Sequence, residues 1–191
     1  MVSRFLVSLT TGAALLISAA PSLAERGDPG ESMYRGSFSD TYQKPSILRE
    51  TVTYPTGHKP GTIVINTAER RLYLVLGEGN ALRYGIGVGR DGFRWGGTHA
   101  VSLKREWPDW SPPSQMLRRD PSLPSWMRGG PNNPLGARAI YLGSSMYRIH
   151  GSNEPETIGQ AVSSGCFRMT NEDVIDLYGR VRVGAKVVVQ L

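Results

Sequence analysis

Residues 61–76 read GTIVINTAERRLYLVL: two β-rich runs, TIVIN and RLYLVL, parted by Thr67-Ala68-Glu69-Arg70. Branched and aromatic side chains favour extended backbone, and the short polar insert between the runs signals a hairpin. Downstream, a turn at Gly77-Glu78-Gly79-Asn80 leads into ALRYGIGVG, a further strand whose glycines thin its side-chain cover and admit a close neighbour. Further strands are expected at 98–103, Arg138–Leu142 and 147–150, with Lys186–Gln190 closing the chain. Strands dominate, so the expected fold is a mostly β domain built on sheets. Two helices are predicted. One is a short segment at 157–162; the other covers 171–179, where Asn171 and early acids precede apolar residues at helical spacing and Gly179 marks the end.

Upstream of Gly61 the character changes. Residues 25–60 carry four prolines and scattered charges without periodicity, as a tether or loosely packed arm would. Residues 1–24 have Arg4 as their single charge, an apolar run over 5–20, and Ser22-Leu23-Ala24, which together form a secretory signal peptide cut after Ala24. That run of about 16 residues is shorter than the roughly 20 needed to span a bilayer. The expected organisation is therefore signal peptide 1–24, arm 25–60 and one domain over 61–191. Export makes nucleic acid an unsuitable partner. Cleavage would leave 21 basic against 16 acidic side chains, a balance suited to an anionic envelope polymer and equally to plain solubility.

Residues 104–134 hold seven of the 13 prolines and three of the four tryptophans, with Lys104, Arg105, Arg118, Arg119 and Arg128. Connections of this length are usually lids or binding loops, and three tryptophans argue against disorder. A folded flap is expected, either touching substrate or covering the sheet.

The single cysteine, Cys166, stands in Ser163-Ser164-Gly165-Cys166-Phe167-Arg168. One thiol cannot close an intrachain disulfide, so in an oxidising compartment it is buried and inert, paired between chains, or reactive. A working thiol needs a proton acceptor, usually imidazole. Of His58, His99 and His150, only His150 ends a predicted strand, YRIH, where a side chain is both rigidly based and open to a loop. A Cys166–His150 pair and an inert thiol both fit this spacing. Gly165 lets backbone N–H groups approach a developing oxyanion, making those of Ser164, Gly165 and Cys166 candidate donors. Arg168, two residues past the thiol, would share its side of an extended segment and clamp a carboxylate, or else form a structural ion pair. Zinc is the rival use of these groups, but no close Cys or His pair nucleates a site. No nucleotide or phosphate fingerprint is present either, so no cofactor is expected.

The stretch YRIHGSNEPETIGQAVSSGCFRMTNEDVIDLY, residues 147–178, resembles the L,D-transpeptidase catalytic domain, or YkuD, family: His150-Gly151, Ser163 to Met169, then Asp173 and Leu177 follow its signature in order and spacing. Residues 61–66, 71–75 and Asn133-Pro134-Leu135-Gly136 are also similar, so the resemblance covers 61–191. It implies a sandwich-like domain of mixed sheets. It also implies Cys166 as nucleophile, His150 as its proton acceptor and donor, and the Gly151 carbonyl orienting the imidazole. The oxyanion hole would be Ser164 to Cys166, with Arg168, Ser163 and Asn153 at the substrate. The implied substrate is the peptidoglycan stem tetrapeptide, cut after its third residue with release of D-alanine and transfer to an amine. A second stem, a free D-amino acid or an envelope lipoprotein are the possible acceptors, in the periplasm or cell wall, by a monomer. Carbapenem acylation and a part in cell-wall biogenesis and cell shape are further implications. A hydrolase (carboxypeptidase) on the same domain and a non-catalytic wall-binding module are the alternatives. Many members carry histidine where this chain has Ser164.

Overall fold

A computed structural model describes residues 47–191; the expected signal peptide and the expected arm up to residue 46 lie outside the described residues. The hairpin forms as read. Strands β2 (Ile63–Asn66) and β3 (Arg71–Gly77) pair antiparallel from Ile63–Leu74 to Asn66–Arg71, and Asn66 Oδ1 accepts the Glu69 N–H at 3.0 Å within the turn. Period-two alternation then sorts the side chains. Ile63, Ile65, Leu72 and Leu74 enter the main core, while Val64, Tyr73 and Val75 meet Val52 and Tyr54 on the other face.

Strand β4 (Asn80–Gly85) follows β3, and β1 (Glu50–Thr53) pairs antiparallel along it. Arg49, just before β1, reaches Asp173 and Asp176 at 3.4 and 3.3 Å. The arm from residue 47 onward is thus packed, and the sheet begins upstream of Gly61.

The remaining strands are β5 (Val88–Gly89), β6 (Gly97–Glu106), β7 (Arg138–Leu142), β8 (Arg148–His150), β9 (Ala161–Ser163), β10 (Phe167–Arg168) and β11 (Lys186–Gln190). Their order is β1-β4-β3-β2-β11-β6-β7-β8-β10, with β5 and β9 forming a separate parallel pair. Strand β6 is longer than the predicted 98–103. Its first residues pair with β11 and its later ones with β7, with a register shift between Val101 and Leu103. The sheet changes direction there, so both halves face one core: Ile63, Leu72 and Tyr84 from one, Ile140, Ile149 and Phe167 from the other. Parallel and antiparallel pairs coexist, as expected of mixed sheets.

Two α-helices complete the described residues: α1 (Ser114–Arg119) in the flap, and α2 (Asn171–Arg180). Helix α2 starts one residue earlier than an Asn171 cap would have it. Thr170 is the cap, its hydroxyl accepting the Asp173 N–H at 3.2 Å, and Gly179 lies inside the helix. Val174 and Leu177 seat it on the core. The expected helix at 157–162 is absent. The chain instead makes a single 3-10 turn at Pro155–Thr157 and then β9, because Gly159 adopts φ +88 and its carbonyl is held by Arg70 at 2.8 Å.

The flap is folded. Trp110 and Met127 exchange both backbone hydrogen bonds at 2.8 Å. Buried Asn133 donates toward the carbonyls of Pro108, Met127 and Arg128 and accepts the Leu135 N–H at 2.8 Å.

Candidate active site

Strand β10 runs parallel to β8, with Phe167 opposite Ile149 and Arg168 opposite His150. Ile149 and Phe167 point into the core at 0% and 1% exposure. By period-two alternation, Arg148 and His150 on β8 share the other face with Cys166 and Arg168. One step back along the ladder sets Cys166 beside Arg148. The four side chains make a two-by-two array in which thiol and imidazole occupy one diagonal and two guanidiniums the other. A two-residue offset on neighbouring strands separates backbones by about 8 Å. The array is tied below by the Met169 N–H, which donates to the His150 carbonyl at 2.8 Å.

His150 is buried at 5% exposure, and its Nδ1 lies 2.6 Å from the Gly151 carbonyl oxygen. A carbonyl only accepts, so Nδ1 carries the hydrogen and Nε2 keeps its lone pair. Burial pushes the His150 pKa down to about 3; the Gly151 bond opposes this, and the charges of Arg168 and Arg148 add to it. Burial also raises the Cys166 thiol, against the backbone N–H of Arg148, then its guanidinium, then the charge of Arg168. The resting pair is therefore neutral thiol and neutral imidazole.

The loop carrying the thiol is braced on three sides. The Ser163 hydroxyl donates to the Cys166 carbonyl at 2.6 Å and accepts the Gly165 N–H at 3.1 Å. Trp95 Nε1 donates to the Gly165 carbonyl at 2.7 Å, and its ring stacks on Tyr147 with centroids 4.3 Å apart. Gly165 has φ +108, and a Cβ there would stand 2.5 Å from Tyr147 Cε1, so this position requires glycine. With the Gly165 N–H engaged by Ser163, the N–H groups of Ser164 and Cys166 remain open among the described residues.

Arg168 Nη1 donates to Glu154 Oε2 at 2.6 Å, with Thr157 Oγ1 at 3.4 Å. Asn153 reaches the Asn132 carbonyl at 3.2 Å, and Arg119 in α1 donates to Ser164 Oγ at 3.2 Å, so the flap meets the loop next to the thiol. Below the site, Asn171 Oδ1 accepts the Ala137 N–H at 2.8 Å and Nδ2 donates to the Ser152 carbonyl at 3.1 Å. A Cβ on Gly136 or Gly151 would strike Asn171 Oδ1, so the two glycines make the seat that lets helix α2 hold the end of β8. His58 and His99 stand apart from the array. Among the described residues no group of three His, Cys, Asp or Glu side chains is placed to hold a metal.

Arg148, Trp95 and Tyr147 are site residues that the sequence does not single out, and Arg119 stands out there only as one of five basic flap residues. The alternation that placed Arg168 with Cys166 also places Arg148 with His150, so that one was within reach; the others depend on packing between distant segments.

The L,D-transpeptidase catalytic domain (YkuD) family model matches residues 60–189. The chain is 40% identical over 134 residues to a probable L,D-transpeptidase, ErfK/SrfK, of Escherichia coli K12, covering 65% of this chain and 42% of that protein. YbiS of the same strain, also a probable L,D-transpeptidase, is 39% identical over 134 residues, covering 65% and 43%. The match thus spans less than half the length of these curated relatives. Among solved structures, a Brucella melitensis protein named a probable carnitine operon oxidoreductase is 50% identical, covering 76% of this chain and 95% of that one, with a TM-score of 0.52. An L,D-transpeptidase from Mycobacterium smegmatis shares the fold at 18% identity, covering 68% and 58%, with a TM-score of 0.55.

Proposed function

The chain belongs to the L,D-transpeptidase catalytic domain family, and we propose that it is an exported peptidoglycan L,D-transpeptidase that works through a Cys166 thioester. The observation that carries this is the parallel β8–β10 register, which aligns a loop thiol with an imidazole whose Nδ1–H is held by the Gly151 carbonyl. The free Nε2 is then the proton acceptor.

Nε2 takes the thiol proton as sulfur attacks the carbonyl of the third stem residue. Negative charge gathers on that oxygen, toward the open N–H groups of Ser164 and Cys166; the Gly165 N–H, in contact with Ser163, joins only by releasing the hydroxyl. As the C–N bond breaks, the imidazolium returns its proton to the leaving D-alanine amine. In the second half, Nε2 takes a proton from the acceptor amine, the amine attacks the thioester carbonyl, and the proton passes to the departing sulfur. No cofactor enters.

Arg168 is the donor-carboxylate clamp in this reading. Its contact with Glu154, which is half exposed, is exchanged for the substrate carboxylate on binding. Ser163 contributes by shaping the loop, and Asn153 and the flap border the site, with Arg119 held against Ser164. The signal peptide delivers the enzyme to the periplasm or cell wall, where a second stem or an envelope lipoprotein supplies the amine; no helix of the described residues is long and apolar enough to cross a membrane.

Incubation with tetrapeptide muropeptides is the test. Cross-linked dimers with loss of D-alanine are expected. Trimmed monomers alone would make the domain a hydrolase, and absence of any product would make it a wall-binding module. A carbapenem should leave a mass adduct on Cys166 that is missing in Cys166→Ala.

A further inference from the structure

Arg148 is the corner of the array to which the reaction above gives no work. Its Nε is buried without a hydrogen-bond partner, and its guanidinium lies over the Tyr141 ring at 5.2 Å. No carboxylate pairs with it among the described residues. A guanidinium nitrogen buried without a partner, on a side chain that lacks an anion, is a cost to the fold that negative charge beside it would offset. The Cys166 thiol meets both the backbone N–H and the guanidinium of Arg148.

The other charged groups around the thiol are already committed. Arg168, two residues along β10, is held by Glu154 at 2.6 Å, which cancels much of its field. Arg119 is hydrogen-bonded to the Ser164 hydroxyl and packs on Phe93 with a centroid distance of 5.1 Å. His150, on the diagonal, is neutral at rest. Among the described residues, Glu154 is the one acid contacting these groups, through Arg168.

From this geometry we infer that Arg148 is a positioning residue for the reaction: its guanidinium holds the thiolate of Cys166 once His150 has taken the proton. It is silent while the sulfur is protonated and acts when the charge forms, so it favours the reactive state over the resting one. The inference rests on the reading of Cys166 as nucleophile.

The test follows alkylation of Cys166 by iodoacetamide across pH, which requires neither peptidoglycan nor turnover. Arg148→Gln should shift the apparent thiol pKa upward by about one unit, lowering the rate at neutral pH roughly tenfold. Arg148→Lys, which restores the charge, should recover most of the loss. Superimposable curves for wild type and Arg148→Gln would overturn the inference, as would failure of Lys to rescue a shifted one. If Arg148→Gln does not fold, the preference of Cys166 for anionic iodoacetate over iodoacetamide, relative to free cysteine, decides in wild type and in Arg168→Gln. A preference surviving in Arg168→Gln supports Arg148, and its absence refutes it. Loss of muropeptide products with these shifts intact would instead count against the proposed function alone.

Discussion

At the scale of single residues, burial controls the chemistry. With His150 lowered to about 3, the base is already unprotonated across the neutral range, so no acid-side decline from its titration should appear above about pH 5. A plot of kcat/KM against pH should be flat from there up to the thiol titration; a decline centred between pH 6 and 7 would indicate a resting imidazolium. Cys166→Ala should abolish product while leaving Tm nearly unchanged, because a loop thiol contributes little to the core. Asp173 behaves oppositely to a salt-bridged acid. At 5% exposure, with Oδ2 lacking a partner, it is raised to about 6 by burial, against the charge of Arg49. Its folded pKa exceeds the unfolded value of about 3.9, so the native state binds the extra proton and stability falls as pH climbs from 4 through 6. The loss is on the order of 2–3 kcal/mol. Denaturant titrations at pH 4.5 and 7.5 should show this slope in wild type, and Asp173→Asn should flatten it.

At the scale of elements, helix α2 sets the height of the array. Thr170→Ala removes the cap and should cost about 1 kcal/mol. Asn171→Ala should be worse, because two hydrogen bonds to the chain around Ala137 and Ser152 vanish from a seat shaped by Gly136 and Gly151. About 1–3 kcal/mol of stability is expected to go, and turnover should fall beyond what the unfolded fraction explains, since Gly151 also positions His150. Thermal melts read beside muropeptide turnover per folded molecule separate the two effects. The helix itself was legible locally, through its acids and apolar spacing. Its seat was not, because Gly136 and Gly151 look like ordinary turn glycines until Asn171 is between them.

At the scale of the molecule, the flap is a second layer whose two ends are pinned to each other by one side chain. Asn133 serves three carbonyls and one N–H from a buried position. Asn133→Ala should leave those groups unpaired and free the flap while the sheet stays closed. Limited proteolysis should then cut within 107–132 and spare β2, β3 and β11, and the contact of Arg119 with Ser164 should weaken with it. Uniform protection equal to wild type would mean that the flap is held by its tryptophans instead.

The sequence by itself determined β2, β3, β4, β7, β8, β11, the middle of β6, the body of helix α2 and the hairpin, because alternation, helical spacing and turn chemistry act within a few residues. The motif around Cys166 and His150 also pointed to the family through resemblance. Only tertiary structure decided that 157–162 is a turn and a strand, where Arg70, distant in sequence, holds the Gly159 carbonyl. It alone set Arg168 against Glu154, packed the chain from residue 47 onto β4, and brought Arg148 beside the thiol. Each of these is a contact between segments distant along the chain, fixed by strand register and burial, and no local pattern of residues encodes which distant partner a side chain will meet.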